Sequence, residues 1–446
     1  MKVLKFGWTS VWSTEMINNT AKIIFEAKKD ENIVVVVSAM TWVTNSLIEI
    51  CNLVEKWNLI NVLDLFNKLK NKHLIVAKEL INDNLRDNNY LLVLEQELDN
   101  LEDIFKWVTL LKSLTDKIKA QILYFGEILS SILVSISINN LWIKSNNYLS
   151  KNFLICDWSY LNWDCNFSKS EKFMENWLKN IDLKQEIPVI TWFWWWDENW
   201  SIYLFDRWWS DYVASLIWRF LKADCIEVWT DVDWIMSADP RIVKNPVLWE
   251  ELDYSVCAEF ALVWAKVLHP KTISPAKWKN IPVFVKNTFN PKAKWTKICN
   301  VESKWLKWIN IDNEQVILNF IDPTMILEHW YVYDVLKLLN NEKISIDTLA
   351  TTETSFSISI KSKYFSDNLC EKFSKLKENF KIDIYKNISK ISFVWDNIDN
   401  YKVLSYFDEI IMISSWAYWK SLTVFVKCDD SKALLCNLHE KVFSLK

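Results

Sequence analysis

Glycine is almost absent from this chain: 2 of its 446 residues are glycine, whereas 29 are tryptophan. Together the two counts reach about the 7 % that glycine alone takes in an average protein. Many of the tryptophans stand in turn-like segments, such as WWSDY and TWFWWWDENW, that normally require a residue without a Cβ. We therefore interpret most tryptophan positions as glycine in the cell, for example through a UGA codon that the organism reads as glycine. A naturally tryptophan-rich binding protein is the alternative, but it does not explain why glycine is missing.

Long apolar runs, paired cysteines and an excess of basic charge are missing as well. The most apolar run, residues 33–40, is too short to cross a bilayer, and the N-terminus starts a strand-like run without secretory features. The 9 cysteines form no CxxC pair, the 4 histidines have no metal-ligand spacing, and the net charge is −4. We expect a reduced, cytoplasmic protein without a zinc site, and we expect neither nucleic acid nor a membrane as its partner.

The first two thirds of the chain predict an α/β domain. Short β-branched runs at 2–6 and 33–38 flank an amphipathic helix at about 14–29, and this βαβ pattern indicates a mainly parallel sheet. Strand patterns return at 187–191, 201–205, 225–229 and 281–285. We assign residues 1–300 to this domain and about 59–120 to a helical insert within it.

After residue 304 the pattern changes to shorter units. Strands are predicted at 316–321, 344–349 and 355–361, and again at 391–394, 409–414 and 421–427, with helices between them. The order describes two βαββ-type units in tandem within residues 311–446, the first at about 313–385 and the second at about 386–446. Such a repeat is typical of ligand sensors and is equally compatible with a dimerising module.

The segment KFGWTS, residues 5–10, follows the first predicted strand and precedes the first helix. A glycine-rich turn in that position directs backbone N–H groups at a phosphate, and the positive end of the helix adds to the attraction. Lys5 could then reach a phosphoryl group in transfer. Taken alone, the segment is better explained as an ordinary turn with a solvent-exposed lysine.

The segment TWFWWWDENWSIYLFDRWWSDYVAS, residues 191–215, is more specific. With glycine at the tryptophan positions it becomes a glycine-rich loop, a strand and a second glycine turn that opens a helix at Ser210. Arg207 is suited to hold a carboxylate through two hydrogen bonds. Ser210 and Asp211 would cap the helix, and Asp211 could also orient a metal or a substrate ammonium; a purely capping role is the alternative.

The segment EVWTDVDWIMSADPR, residues 227–241, combines a strand with an acidic turn. Carboxylates there suit the ribose and base of a nucleotide, with Arg241 near the phosphates. The alternative for any one of these aspartates is a surface turn, because aspartate is a common turn former.

These segments, taken with others in the same order along the chain, resemble aspartate kinase. The matching motifs are KFGWTSV, SAMTWVTN (38–45), FGEILS (125–130), DRWWSDY (206–212), TDVDWIMSADPR (230–241), WAKVLHP (264–270) and IPVFVKNTFNP (281–291). The resemblance implies a three-layer amino-acid kinase domain with a mainly parallel α/β sheet, followed by tandem ACT regulatory domains of βαββαβ type. It also implies ATP-dependent phosphorylation of the L-aspartate β-carboxylate to 4-phospho-L-aspartate, the first step towards lysine, threonine and methionine.

By this resemblance Lys5 and Asp211 act in catalysis, and the other kinase-site residues fall into two sets. In the substrate set, Glu127 would take the α-ammonium and Arg207 the α-carboxylate of aspartate; the set is Thr44, Glu127, Arg207, Trp208, Trp209 and Ser210. The ATP set is Lys5, Gly7, Trp8, Thr9, Ser10, Thr230, Asp231, Met236, Arg241, Lys266 and Val267. Asp206, where relatives have glycine, and Met236, where they often have an aromatic residue, depart from the family pattern.

The resemblance further implies feedback inhibition by an amino acid, with lysine as the expected effector, and a homodimer formed through the ACT domains. The effector set is Met325, His329, Trp330, Tyr331, Val332, Ile346, Asp347, Thr351, Thr352 and Glu353. Mg²⁺ is expected on the ATP phosphates, with no dedicated side-chain ligand. Two rival functions stay open: another amino-acid kinase, or a non-catalytic amino-acid sensor whose genuine tryptophans block the phosphate turns at 8, 194–196 and 208–209.

Overall fold

A computed structural model describes most of the chain in two units. The residues described are 1–56, 58–81, 90–155, 166–191, 210–231, 235–263, 270–301, 307–322, 331–352, 354–375, 381–395, 400–415 and 421–443. The first unit comprises Met1–Ile235 and Glu250–Val301, and the second comprises Met236–Trp249 and Glu302–Lys446. The boundary predicted near residue 300 is thus crossed by one earlier segment, Met236–Trp249, which packs with the second unit.

The first unit alternates strands with helices. Its strands are β1 (Lys2–Phe6), β2 (Ile33–Val37), β3 (Lys144–Tyr148), β4 (Glu186–Thr191), β5 (Cys225–Thr230), β6 (Glu251–Asp253), β7 (Val283–Asn287) and β8 (Thr296–Cys299). Its helices are α1 (Thr14–Lys28), α2 (Val43–Glu55), α3 (Leu59–Leu80), α4 (Tyr90–Leu111), α5 (Asp116–Asn139), α6 (Phe167–Lys179), α7 (Ser210–Leu221), α8 (Tyr254–Val263) and α9 (Pro270–Lys279).

The eight strands form one sheet in the order β3-β4-β2-β1-β5-β7-β8-β6. All neighbours from β3 to β7 are parallel, and β8 runs antiparallel to β7. β2 is a fully buried run of isoleucine and valine, as is typical of a strand covered on both faces. The mainly parallel α/β sheet predicted from the sequence is confirmed, and it brings the carboxyl ends of β1, β2, β4, β5 and β7 to one edge.

The predicted helical insert consists of α3 and α4, which pack beside α5. α5 is capped at its start by the Thr115 hydroxyl, which accepts a hydrogen bond from Ile118 N at 3.3 Å. By length and composition it is the one described helix that could cross a membrane, yet 89 % of its most apolar stretch is buried in the unit. α5 therefore serves as a core helix on which other helices and the sheet pack.

The second unit is a repeat of strands and helices. Its elements are β9 (Lys307–Ile321), α10 (Tyr331–Asn341), β10 (Thr348–Thr351), β11 (Ser355–Lys361), α11 (Asp367–Ser374), β12 (Lys381–Trp395), α12 (Asn400–Leu404), β13 (Met412–Ser415), β14 (Ser421–Lys427) and α13 (Ser431–Phe443). The six strands form a sheet in the order β10-β11-β9-β12-β14-β13, all antiparallel. The order is symmetric about the β9–β12 pair, as two tandem βαββ-type units require.

Two details of the second unit differ from the sequence prediction. The strand expected at 344–349 begins only at Thr348, because Ile344 N donates to Leu339 O at 2.9 Å and so ends α10. The strand expected at 316–321 extends from Lys307 to Ile321. Its alternating pattern is interrupted at Glu314, which has φ 64°, and so the sequence reveals only the second half.

Candidate active site

Lys5 lies at the carboxyl end of β1, the strand between β2 and β5. Its partners in register are Val36 and Val228, and Lys5 itself is buried at 7 % exposure. The next turn begins at Gly7, whose N–H donates to Trp229 O at 3.1 Å. A Cβ built on Gly7 would stand 3.7 Å from Lys5 Nζ, so the ammonium lies directly beside the turn.

Buried hydroxyl groups anchor the turn Trp8–Ser10 to the interior of the unit. Ser10 N donates to Gly7 O at 2.9 Å, and Ser10 Oγ lies 2.7 Å from Thr288 Oγ1. Thr20 Oγ1 of α1 donates to Ser10 O at 2.8 Å. Trp8 projects outwards and is 55 % exposed. Ser10 therefore anchors the turn to Thr288 and to α1. The Trp8 position faces solvent, on the side from which a phosphate would approach.

The segment after β5 joins the same edge. Thr288 N donates to Thr230 O at 2.9 Å, and Thr230 Oγ1 donates to Asp231 Oδ1 at 3.1 Å. Thr288 thus connects Thr230 with Ser10, two residues that are far apart in the sequence. The structure brings together the predicted ATP-side residues of the first turn and those that follow β5.

The predicted aspartate-side residues lie on two neighbouring helices. Thr44 is in the first turn of α2 and Glu127 is a buried residue of α5. The helices approach closely at Gly126, because a Cβ there would stand 3.2 Å from Val43 Cγ1. Thr41 Oγ1 donates to Trp8 O at 3.1 Å and so ties the loop before α2 to the first turn.

Tyr124 secures the edge of the sheet beside Glu127. Its hydroxyl lies 2.7 Å from Thr191 Oγ1 at the end of β4, and Thr191 Oγ1 also accepts from Ser150 N at 3.0 Å. Burial raises the pKa of Tyr124 well above its usual value, so this phenol stays neutral and serves as a positioning group. α5 is thereby fixed at the carboxyl edge of the sheet.

Sequence reasoning missed a buried ion pair beside this edge. Lys286 Nζ lies 2.7 Å from Glu227 Oε1, and the two side chains are 17 % and 6 % exposed. Trp229 Nε1 donates to Glu227 Oε2 at 3.1 Å, and its ring stacks on Phe6. The signal was present in the sequence as one charge of each sign in two otherwise apolar strands, CIEVWT and VFVKN. The pair lies within β5 and β7, before their carboxyl ends, and holds these two strands together.

Met236 and Arg241 lie in the segment that packs with the second unit. The Arg241 guanidinium donates to both carboxylate oxygens of Asp239, from Nη2 at 2.6 Å and from Nε at 3.0 and 3.2 Å, and its side chain is 70 % exposed. Their assignment to ATP stays a prediction.

On the effector side, Val332 and Ile346 pack partly buried against the core of the second unit. Thr351 ends β10, and Thr352 Oγ1 lies 2.7 Å from Ser355 Oγ. Asp347 Oδ2 accepts from Gln315 Nε2 at 2.9 Å. Asp347 thus precedes β10 and Thr351 ends it, so the predicted effector residues are spread along this strand.

Several predicted site residues lie outside the described part of the chain: Arg207, Trp208, Trp209, Lys266, Val267, Met325, His329, Trp330 and Glu353. Ser210 and Asp211 open α7, and Tyr331 opens α10. Within the described ranges, no three His, Cys, Asp or Glu side chains come together as a metal site.

Comparisons with known proteins identify the family. The model of the amino acid kinase family matches residues 1–287. The bifunctional aspartokinase/homoserine dehydrogenase of Buchnera aphidicola is 33 % identical over 67 % of this chain, which spans only 36 % of that protein. Chloroplastic aspartokinase 3 of Arabidopsis thaliana is 28 % identical over 99 % of this chain and 81 % of its own length.

Solved structures show the same fold over the full length. Aspartokinase III of E. coli in complex with lysine and aspartate has a TM-score of 0.85, with 23 % identity and 99 % of both chains covered. The same enzyme in complex with aspartate and ADP has a TM-score of 0.81, with 22 % identity and 99 % of this chain covered.

Proposed function

The chain belongs to the amino acid kinase family as an aspartokinase, and we propose that it transfers the γ-phosphoryl group of ATP to the β-carboxylate of L-aspartate. The product is 4-phospho-L-aspartate, an acyl phosphate. The observation that carries the proposal is the turn from Gly7 to Ser10. It is held between the ends of β1, β5 and β7, with Lys5 Nζ beside it and the loop before α2 bonded to it through Thr41.

The acceptor determines what the site has to do. A β-carboxylate has a pKa of about 3.9 and is already ionised at neutral pH, so no general base is required. The remaining requirements are to place the two substrates in line and to stabilise negative charge on the phosphoryl group in transfer. Lys5 and the N–H groups of the first turn supply that charge stabilisation from a buried strand end, where little reorganisation is needed.

Aspartate would be held through both its α-ammonium and its α-carboxylate. Glu127 takes the α-ammonium, Thr44 lies on the adjacent helix, and Arg207 takes the α-carboxylate. Glu127 is suited to this role because it is a buried carboxylate on a helix that Gly126 brings against α2. A substrate that lacked the ammonium would lose this charged contact and would bind more weakly.

ATP is the phosphoryl donor in this proposal, and Mg²⁺ accompanies it. Phosphate oxygens are the ligands that Mg²⁺ prefers in such sites, and they would supply most of its coordination shell. The ion would neutralise charge on the phosphates. Thr230 and Asp231 lie on the proposed nucleotide side at the end of β5, and Thr9 lies there on the turn after β1, which Ser10 anchors from the protein interior.

We further propose lysine as a feedback effector of the second unit, a homodimer formed through that unit, and a place in lysine, threonine and methionine synthesis in the cytoplasm. An E. coli relative of the same fold was solved with lysine and aspartate, which supports the choice of effector. Asp347 and Glu353 are the proposed partners of the lysine ammonium groups.

The tryptophans of the phosphate turns are proposed to be glycine in the cell. Trp142 supports this proposal: it follows the end of α5, is 80 % exposed and has φ 62°, a conformation that favours glycine at a helix C-terminus. Trp229, in contrast, uses its indole in a hydrogen bond and a ring contact. The coding DNA tests the proposal, with UGA expected at Trp8 and Trp142 and UGG at Trp229; UGG at all three would refute it.

The non-catalytic sensor is not favoured, because aspartokinase relatives match along almost the whole chain. Activity is tested on the glycine-restored chain, in which the tryptophans of the phosphate turns (Trp8, Trp194, Trp195, Trp196, Trp208 and Trp209) are replaced by glycine. Lys5→Ala should lower kcat about 10²-fold or more without loss of folding. Lys2→Ala on the same strand is the control, and near-normal turnover of Lys5→Ala would remove Lys5 from the site.

A further inference from the structure

A cluster of mixed charge surrounds Asp347 in the second unit. Asp347 Oδ2 accepts from Gln315 Nε2 at 2.9 Å and lies 4.0 Å from both Lys361 Nζ and Lys390 Nζ. Asp312 Oδ2 accepts from the same Gln315 Nε2 at 3.2 Å and forms an ion pair with Lys361. We name these five residues, Asp312, Gln315, Asp347, Lys361 and Lys390, the Asp347 cluster.

The pairing of three strands builds this cluster. Gln315 of β9 lies opposite Lys361 of β11, and Asp312 of β9 lies opposite Lys390 of β12. Asp347 is attached from the other side, because its N–H donates to Ser359 O at 2.9 Å. Backbone register therefore makes these five residues neighbours.

Gln315 leaves one acceptor of the cluster without a donor among the residues that the structure describes. The residue is fully buried, and its amide NH₂ group bonds two carboxylates, which fixes the orientation of the amide. Its Oε1 accepts no hydrogen bond from any residue that the structure describes. A buried acceptor without a donor is unfavourable, so an incoming ammonium would gain a contact there.

The two lysines already occupy the surroundings of Asp347. The Lys390 side chain is only 15 % exposed, and burial lowers its pKa while Asp347 and Asp312 act in the opposite direction. At 4.0 Å neither lysine is within hydrogen-bonding distance of Asp347. The Asp347 carboxylate is thus flanked by two cations that do not hydrogen-bond to it, and an ammonium group that binds it must compete with both.

We propose that Lys361 and Lys390 are built-in counter-ions of Asp347 that compete with the ammonium group of a cationic amino-acid effector. They thereby set the effector concentration at which the chain responds. The inference rests on the proposed function, which assigns Asp347 to the lysine effector. It goes further in naming the two residues of this chain that determine how sensitive that site is.

The test is inhibition by lysine in the Lys390→Met variant of the glycine-restored chain. We expect the half-inhibitory lysine concentration to fall about tenfold, because one competing charge about 4 Å from the carboxylate is gone. If the parent chain does not respond to lysine, inhibition should appear in the variant. Lys381→Met is the matched control, since Lys381 lies on the same strand with a side chain that is 71 % exposed, and it should change nothing.

Calorimetric binding of lysine, measured without ATP and aspartate, separates this inference from the proposed activity. Tighter lysine binding in Lys390→Met supports the inference even if no kinase turnover is seen, whereas absent turnover alone refutes only the proposed function. Unchanged or weaker lysine binding in a folded Lys390→Met protein overturns the inference. If Lys390→Met does not fold, lysine binding is measured in Lys361→Met and Lys390→Gln instead. Unchanged lysine binding in both of these variants also overturns the inference.

Discussion

Gly126 is the point at which helix packing and aspartate binding meet, and Gly126→Ala is the change that tests the connection. A Cβ at residue 126 would stand 3.1 Å from Ala39 Cβ, 3.2 Å from Val43 Cγ1 and 3.6 Å from Leu47 Cδ1. The first two separations are tighter than ordinary contacts. Because the neighbouring atoms belong to short, stiff side chains, α2 and the loop before it must move away from α5.

Two opposing terms set the size of the stability effect. Alanine in a helix interior is about 1 kcal/mol more favourable than glycine. Overpacking of a core contact costs about 1–3 kcal/mol. The net expectation for Gly126→Ala is a free energy of unfolding lowered by about 0–2 kcal/mol, measured by urea denaturation.

The kinetic effect should be confined to aspartate. α2 carries Thr44 and α5 carries Glu127, so a displacement between the helices misplaces the two groups on either side of aspartate. We expect KM for aspartate to rise about threefold to tenfold in the glycine-restored chain, equivalent to about 1 kcal/mol. KM for ATP should stay within about twofold, because the first turn is anchored to β5 and β7.

Ala39→Gly supplies the matched rescue. In the double variant the tightest contact of the new methyl group is removed, so KM for aspartate should return towards that of the parent chain. A Gly126→Ala protein that gains the full 1 kcal/mol of helix propensity with an unchanged KM for aspartate would refute the reasoning.

Further predictions concern stability. Burial lowers the pKa of His73 from 6.5 to about 4, so the unfolded chain binds the extra proton between these values. Stability should fall by up to about 3 kcal/mol as pH drops through that window, and urea denaturation at several pH values should show a smaller fall in His73→Gln. Trp142→Gly should raise the free energy of unfolding by about 1 kcal/mol, because tryptophan is strained at positive φ. Trp229→Gly should lower the free energy of unfolding by about 3–5 kcal/mol. Equal effects of the two substitutions in thermal and urea unfolding would contradict the claim that residue 142 suits glycine whereas residue 229 requires its indole. Glu227→Gln should lower it by about 3–5 kcal/mol by leaving Lys286 buried without its partner, and Lys286→Met in the same chain should recover much of the loss.

The sequence predicts best those elements whose periodicity is undisturbed. β11 and β14 begin and end at the residues expected, because both alternate cleanly between the two faces of the sheet. β9 and β12 are longer than predicted, since residues with positive φ, Glu314 and Asn387, interrupt their alternation. Such interruptions depend on pairing between distant strands, which local patterns do not contain.

The residues of the candidate site also differ in whether the sequence alone could predict them. Lys5, Gly7 and Thr230 could be found because they lie at or directly after the carboxyl ends of apolar strands, and parallel strands bring such positions to one edge. The sequence shows the charges of Glu227 and Lys286 but not that they pair, and the same holds for the Asp347 cluster, because each joins residues whose contact depends on sheet order and register. The grouping of Met236–Trp249 with the second unit is likewise a tertiary fact without a local signal.

The central claim is that the chain phosphorylates aspartate. The most direct test compares aspartate-dependent release of ADP by the chain with all its tryptophans, the printed chain, and by the glycine-restored chain. We predict release of ADP that requires both substrates in the glycine-restored chain, with the acyl phosphate trapped as a hydroxamate by hydroxylamine. The printed chain should be far slower, because an indole at residue 8 occupies the approach to the first turn. Two folded proteins that bind ATP yet release no ADP in response to aspartate would contradict the account.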